Sequence, residues 1–214
     1  MTDKIIKIAI VGITGYGGLE LLRLLYNHPN AKVVSIHNTQ TENTDISEQF
    51  PHLKSMYNLT PTTFDPMHIM QEADLVFFAT SSGVSKDLAQ DFIQAKFPVI
   101  DLSGDFRLPA DIYKKWYKNE PTSDEAIQQA HYSLADFYDN KVTYIANPGC
   151  YATGTLLALA PLAQNHLLDK DNIIIDAKSG LSGAGKSLTL ASHFVNVNEN
   201  FTMYKANHHQ HILS

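Results

Sequence analysis

The sequence predicts an α/β protein whose larger, N-terminal part is a doubly wound parallel sheet. A β-branched run near the N-terminus breaks at a cluster of glycines and resumes as a leucine-rich helical pattern. Later apolar runs are nearly continuous, as in parallel strands covered on both faces. Those runs empty into short loops of small polar residues, the place where open α/β sheets hold their ligands.

The first strand is Lys7-Ile8-Ala9-Ile10-Val11. It stops at Gly12-Ile13-Thr14-Gly15-Tyr16-Gly17-Gly18, and Leu19 to Leu25 then carries leucine at helical spacing as far as the Asn27-His28-Pro29-Asn30 turn. Lys32-Val33-Val34-Ser35-Ile36 is the next strand. Strand, glycine turn, helix and strand in that order make the glycines a phosphate cradle of the Rossmann type, with the backbone close to a pyrophosphate and a helix N-terminus facing the anion. The spacing is G-x-x-G-x-x-G (Gly12, Gly15, Gly18) instead of the commoner G-x-G-x-x-G. The second strand runs on through His37-Asn38-Thr39-Gln40-Thr41 with no acid before Glu42. An acid there would bond the ribose 2′-hydroxyl of NAD, so its absence leans toward NADP.

Asp74-Leu75-Val76-Phe77-Phe78-Ala79-Thr80 is a strand that opens into Ser81-Ser82-Gly83-Val84-Ser85, from which a helical pattern runs to Lys96. Pro98 to Leu102 is another, opening into Ser103-Gly104-Asp105-Phe106-Arg107-Leu108. Both loops are site loops by position. The Arg107 guanidinium suits a substrate carboxylate or phosphate, or else forms an ion pair with Asp101 or Asp105. Asn43 to Pro66 is polar and unassigned, and Lys114 to Ala130 reads as an exposed, charged connector. Val142 to Ala146 is one more strand.

That strand delivers Asn147-Pro148-Gly149-Cys150-Tyr151, followed by aliphatics at helical spacing from Thr153 to Leu162. Cys150 thus falls at a helix N-terminus, where the dipole and backbone N–H groups favour an anion and so a thiolate nucleophile. The alternative is a small buried hydrophobe. Asn172 to Lys178 predicts a strand, and it leads into the loop Ser179 to Ser187. Gly180 to Ser187 also fits G-x-x-x-x-G-K-[ST]. Neither a second acidic strand for magnesium nor a strong following helix accompanies it, so a P-loop phosphotransferase is set aside.

The chain has 214 residues, 44% hydrophobic and 18% charged, with a net charge of -6. Those values suit a globular protein and offer no nucleic-acid or membrane surface. One cysteine excludes an internal disulfide framework and fits a reducing, cytoplasmic setting. The histidines His28, His37, His52, His68, His131, His166 and His193 stand singly, without metal-ligand spacing, so no metal is expected.

Four stretches together resemble the N-acetyl-gamma-glutamyl-phosphate reductase family of the semialdehyde dehydrogenase superfamily. They are Gly12 to Leu21, Asp101 to Leu108, Asn147 to Tyr151 and Ser179 to Gly185. The resemblance implies NADPH-dependent reduction of N-acetyl-glutamyl 5-phosphate to the 5-semialdehyde and phosphate through a Cys150 thioester, in cytoplasmic arginine biosynthesis. It implies cofactor contacts at Gly12, Thr14, Gly15, Tyr16, Gly17, Gly18, Ser81, Ser82, Gly83, Ser182 and Gly183. Substrate contacts would come from Ser103, Arg107, Asn147, Ser179 and Gly180. The family's acid–base histidine aligns with His211, and His209 is the second choice; Gln210 stands where the family has arginine. Ser81-Ser82 stands where relatives often have Pro-His, and Ala152 where proline often follows Cys-Tyr.

The resemblance divides the chain into an NADP-binding domain, residues 1–147, and the first part of an α+β catalytic and dimerisation domain, residues 148–214. The family would continue past Ser214 with Pro-Glu-Ile and roughly another hundred residues, the length of a two-domain dehydrogenase, and would form a homo-oligomer, dimer or tetramer. Two further readings stand beside this one: a truncated, inactive chain that binds only dinucleotide, and a related semialdehyde dehydrogenase for another acyl phosphate.

Overall fold

The computed structural model describes residues 4–38, 44–137 and 142–213. The chain divides into two compact units, Met1–Asn147 and Pro148–Ser214.

The first unit is built on a parallel sheet of seven strands. They are β1 (Ile6–Val11), β2 (Ala31–Asn38), β3 (Thr62–Thr63), β4 (Leu75–Phe78), β5 (Val99–Asp101), β6 (Ala130–Tyr132) and β7 (Tyr144–Ala146). Their order across the sheet is β3-β2-β1-β4-β5-β7-β6, so the chain reverses its direction of winding between β1 and β4. That switch point is where such sheets open a crevice beyond the carboxyl ends of their strands.

Strand alternation explains the two cores. In β1, Ile8 and Ile10 pack on one face with Leu19, Leu22, Val33, Ile36 and Leu53. Ala9 and Val11 pack on the other with Ile69, Val76, Phe78, Phe92 and Val99. Both faces are therefore dry, which is why β1 is apolar at every inner position. Helix α1 (Tyr16–Leu25) covers the first face through Leu19 and Leu22. Two short helices, α2 (Ile46–Gln49) and α3 (Pro66–Glu72), are capped by Asp45 and Asp65, whose carboxylates accept from backbone amides of the first turn. Asp45 and Ile46 lie in the stretch the sequence left unassigned. The helical pattern expected up to Lys96 is two pieces, α4 (Ser85–Leu88) and α5 (Gln90–Gln94). Thr39 to Glu42, on which the NADP lean rests, lie outside the described residues.

One stretch corrects the sequence expectation. Lys114 to Ala130 is not an exposed connector: α6 (Ala110–Tyr117), α7 (Asp124–Gln129) and β6 run through it. Its charged residues are exposed as expected, and burial falls on Ala126 within it and Tyr113 just before it. Tyr113 is fully buried and stacks on Tyr117, one helical turn on, at 4.9 Å between ring centroids. Ala126 is buried as well, and the Ser123 hydroxyl caps α7 by accepting from the Ala126 amide.

The second unit opens with α8 (Cys150–Gln164), which begins at Cys150 itself. Beyond it lie 3-10 turns and a short helix, α9 (Phe194–Val197). Residues 172–178 form no strand in the structure, contrary to the expectation from their aliphatic run. A strand needs a ladder partner for its amides and carbonyls, and no described segment pairs with this one. Ile174 is accordingly 94% exposed.

Candidate functional site

The loop from β1 to α1 is shaped by two glycines that tolerate no side chain. Gly12 is left-handed (φ +90), and a Cβ there would lie 2.7 Å from the Ala79 carbonyl oxygen at the end of β4. A Cβ on Gly18 would lie 2.6 Å from the Gly12 carbonyl oxygen, so Gly18 lets α1 pack directly on the turn. Gly15 and Gly17 are different. Gly15 caps α1 with extended backbone, and nothing lies within 4 Å of a Cβ on Gly17. Around them α1 has no side-chain cap and no acid in its first turn. This cradle fits an anionic pyrophosphate: the backbone is bare on the open side, and the positive end of the helix dipole is not spent on a carboxylate of its own. Thr14 and Tyr16 flank it, and Tyr16 is 47% exposed.

The loop after β4 is tied to the loop after β5 from below. Asp101 and Asp105 are fully buried. Asp105 accepts from the amides of Gly83 (2.6 Å) and Lys86 (3.1 Å), from the Tyr113 hydroxyl (2.7 Å) and from the Ser85 hydroxyl (3.0 Å). Asp101 accepts from the Ser103 amide (2.7 Å) and from the hydroxyls of Ser103, Ser85 and Tyr144. Burial pushes the Asp101 carboxyl up against the pull of these donors, and it pushes the Tyr144 phenol well up, reinforced by the Asp101 charge. Ser82 accepts from the Gly104 amide at 3.1 Å, and the Tyr117 ring lies where a Gly104 side chain would be. Ser81 is exposed at the rim. Ser103 faces the interior instead, its hydroxyl committed to Asp101 and Ser85.

Arg107 forms no ion pair with Asp101 or Asp105. It donates to the backbone carbonyls of Leu102 and Asn147, both at 2.7 Å, and so fastens the end of β5 to the end of β7. The Asn147 amide donates in turn to the Asp101 carbonyl at 2.9 Å. Burial pushes the neighbouring Tyr117 phenol up, and the Arg107 guanidinium acts against that rise.

In the second unit, Gly149 is the extended N-cap of α8, and Cys150, its first helical residue, is exposed. The cap carries no side-chain bond and the first turn no acid. The His211 imidazole lies where a Gly149 side chain would project. His209 uses Nδ1 to accept from the His211 amide (3.2 Å), which leaves Nε2 to carry the proton toward the Tyr204 hydroxyl at 3.5 Å. Tyr204 and Tyr151 share a hydroxyl contact of 2.8 Å. Burial, then the bond to Tyr151, push the Tyr204 phenol up to about 12, while burial pushes His209 below the usual histidine range. The structure thus brings Cys150, His209 and His211 to one end of α8. Ser179, Gly180, Ser182 and Gly183 form a separate exposed loop in which the Ser179 hydroxyl donates to the Gly180 carbonyl at 2.9 Å.

Sequence reasoning placed Ser85 and Asp105 in the site loops without this role, Asp105 only as a candidate partner of Arg107, and it gave Tyr113 and Tyr144 no part in the site. A usable signal was present: two carboxylates, Asp101 and Asp105, at the end of an apolar strand that is dry on both faces.

Fold and cradle define a dinucleotide-binding α/β protein that also carries a cysteine at a helix start. A family model described as semialdehyde dehydrogenase, NAD binding domain, matches residues 7–146, and one described as semialdehyde dehydrogenase, dimerisation domain, matches residues 150–213. The chain belongs to the semialdehyde dehydrogenase family. Among curated relatives, N-acetyl-gamma-glutamyl-phosphate reductase of Streptococcus gordonii is 56% identical over 207 residues. Its namesake from Lactococcus lactis is 58% identical over the same length. Each alignment covers 96% of this chain and 61% of the relative, so the chain spans about three fifths of their length. Solved structures share the fold. Aspartate semialdehyde dehydrogenase with NADP from Candida albicans matches with a TM-score of 0.52 at 15% identity, over 77% of this chain and 48% of that one. Aspartate semialdehyde dehydrogenase II from Vibrio cholerae gives 0.52 at 18%, over 76% and 43%. Among the described residues no helix is long and apolar enough to cross a membrane.

Proposed function

We propose that the chain carries the dinucleotide-binding and cysteine-bearing parts of a cytoplasmic N-acetyl-gamma-glutamyl-phosphate reductase that uses NADPH and works as a homo-oligomer in arginine biosynthesis. The observation that carries this reading is the identity of 53–58% to relatives of that name across nearly the whole chain. The placement of Cys150 as the first residue of α8, with His211 over its N-cap, supports it chemically.

Cys150, as thiolate, attacks the acyl carbon of N-acetyl-glutamyl 5-phosphate; a C–S bond forms, the C–O bond to phosphate breaks, and inorganic phosphate leaves. His211 takes the thiol proton, and His209, bonded to the His211 amide, holds that turn in place. Arg107 and Asn147 orient the substrate, with Ser103 shaping their loop from beneath and Ser179 and Gly180 contacting the acetylamino acid. The dinucleotide, when bound, supplies the hydride that turns the thioester into aldehyde and releases the thiolate. Gly12, Thr14, Gly15, Tyr16, Gly17 and Gly18 would hold its phosphates and Ser81, Ser82 and Gly83 would close on it; the resemblance assigns Ser182 and Gly183 to the cofactor as well.

A second reading, a chain that binds dinucleotide without turnover, is favoured by one observation. The first unit has a sheet dry on both faces, whereas residues 172–178 of the second have no ladder partner among the described residues. The test is the reverse reaction, NADP reduction with N-acetylglutamate semialdehyde and phosphate, run on this chain and on Cys150→Ser. Turnover lost in the variant supports the reductase; no turnover with NADP binding retained supports the second reading. Aspartate semialdehyde replacing the acetylated substrate at equal rate would overturn the assigned substrate.

A further inference from the structure

Helix α4 begins without a cap of its own: its N-cap is Val84, which offers no side-chain acceptor. The acceptor comes instead from Asp105, some twenty residues away. One of its oxygens takes the Gly83 amide and the other the Lys86 amide, so a single buried carboxylate spans the turn from both ends. Gly83 is left-handed (φ +96), a conformation open to glycine, and Asn119 packs on it at 3.1 Å from where a Cβ would lie, so no other residue fits the turn that Asp105 holds. Asp105 is itself held by the Tyr113 hydroxyl, and its own amide donates to Ser103 at 3.1 Å. Two consequences follow. The Gly83 and Lys86 amides at this second helix start are already taken by a carboxylate of the chain itself, whereas α1 carries none in its first turn. The outer rim of the loop, Ser81 to Gly83, has its shape dictated from the interior.

We propose that Asp105 is a positioning residue for the dinucleotide, fixing residues 81–86 in the form that closes on the cofactor without touching the cofactor itself. This role rests on the reading of Ser81–Gly83 as a cofactor loop. Replacement by asparagine keeps the shape but turns an N–H group toward the Ser85 hydroxyl and the Lys86 amide, so one clamp becomes donor against donor.

The test uses the 214-residue chain and two measurements: hydrogen exchange at the Gly83 and Lys86 amides, and NADPH titration by cofactor fluorescence. In Asp105→Asn both amides exchange faster and NADPH binds about tenfold more weakly. Ile69→Val, which thins the core under α3, serves as a control that lowers the melting temperature and leaves both readouts unchanged. A merely structural Asp105 would behave like that control. Unchanged or tighter NADPH binding in Asp105→Asn overturns the proposal, tighter binding meaning that the buried charge only repels the cofactor. Should Asp105→Asn fail to fold, Tyr113→Phe removes one support of the same carboxylate. About threefold weaker binding with a faster Gly83 amide is then expected, and no change in either overturns the role. Failure of the unsubstituted chain to bind NADPH overturns the dinucleotide reading itself, and is read before any variant is compared.

Discussion

The His211 imidazole occupies the place where a side chain of Gly149, the residue that caps the Cys150 helix, would project. Gly149 has ordinary extended backbone (φ -69, ψ 163), so alanine there carries no backbone strain, and the atoms nearest its methyl group would be those of the imidazole. Gly149→Ala is therefore expected to displace His211 while leaving the folding midpoint nearly unchanged. On the proposed role of His211 as the base, a shift of about an ångström costs on the order of 10²-fold in turnover. A double-mutant cycle with His211→Asn checks the cause: if the loss runs through the histidine, the double variant is no worse than His211→Asn alone. Additive losses would refute that coupling.

The glycine cradle predicts opposite signs at neighbouring positions. Gly12→Ala forces a Cβ against the Ala79 carbonyl at positive φ, and a drop of about 1–3 kcal/mol or more in folding stability is expected, with loss of NADPH binding. Gly17→Ala has open space and sits in the first turn of α1, where alanine gains about 0.5–1 kcal/mol over glycine. If Gly17 contacts the cofactor as proposed, the added methyl group crowds it, so the chain melts higher while NADPH binds more weakly. Parallel changes in the two quantities at Gly17 would remove that glycine from the cofactor site.

The sequence displayed β1, α1, β2, β4, β5 and β7 because each is an apolar run with a sharp stop, and Gly12 marked the first crossover by residue type alone. It hid α6 and α7 because Lys114, Lys115, Asp124 and Glu125 dominate their composition, while burial falls on Tyr113 and Ala126. Strand β6 is three half-buried residues at the sheet edge, Ala130–Tyr132, too short to make a pattern. Residues 172–178 misled in the opposite sense, since β-branched residues set a propensity but only a partner strand makes a ladder. At the site, Cys150 and His211 were legible as types of chemistry, whereas Asp105 was not. Its importance lies in contacts to Gly83 and Lys86, made through the fold and not through sequence spacing.

Arg107 bridges two strand ends through backbone carbonyls, which a lysine can do at only one of them. Arg107→Lys should lower folding stability by about 1–3 kcal/mol, the worth of one charge-assisted bond to a partly buried carbonyl. On the proposed role of Arg107 in holding the substrate, KM for phosphate in the reverse reaction should rise more than kcat falls. Equilibrium urea unfolding and phosphate titration measure the two effects separately. A variant with native stability and raised phosphate KM would show that the strand bridge is dispensable and only the anion contact matters.

His37 closes β2 as a fully enclosed imidazole, with Nε2 2.9 Å from the Ser35 hydroxyl and Nδ1 3.0 Å from the Thr62 hydroxyl of β3. Burial is the main cause that holds its pKa below the usual histidine value of 6.5; a bond to the Thr63 backbone and the charges of Glu72 and Asp65 oppose it. The folded state therefore binds fewer protons than the unfolded chain in this window. Stability from His37 is fully present above the unfolded value near 6.5 and is lost as pH falls through the lower folded-state value. Asp101 has the opposite sign: its raised carboxyl contributes stability at low pH that is lost as pH rises through its folded-state value. The His37 effect is isolated by comparing the chain with His37→Gln, whose amide can still reach Ser35 or Thr62 but does not titrate. Urea midpoints measured from pH 7.5 down to about 5 should fall more steeply for the unsubstituted chain, each unit of depression being worth about 1.4 kcal/mol. Parallel curves would mean that His37 takes up its proton in place, with Ser35 and Thr62 turning their hydroxyls to accept.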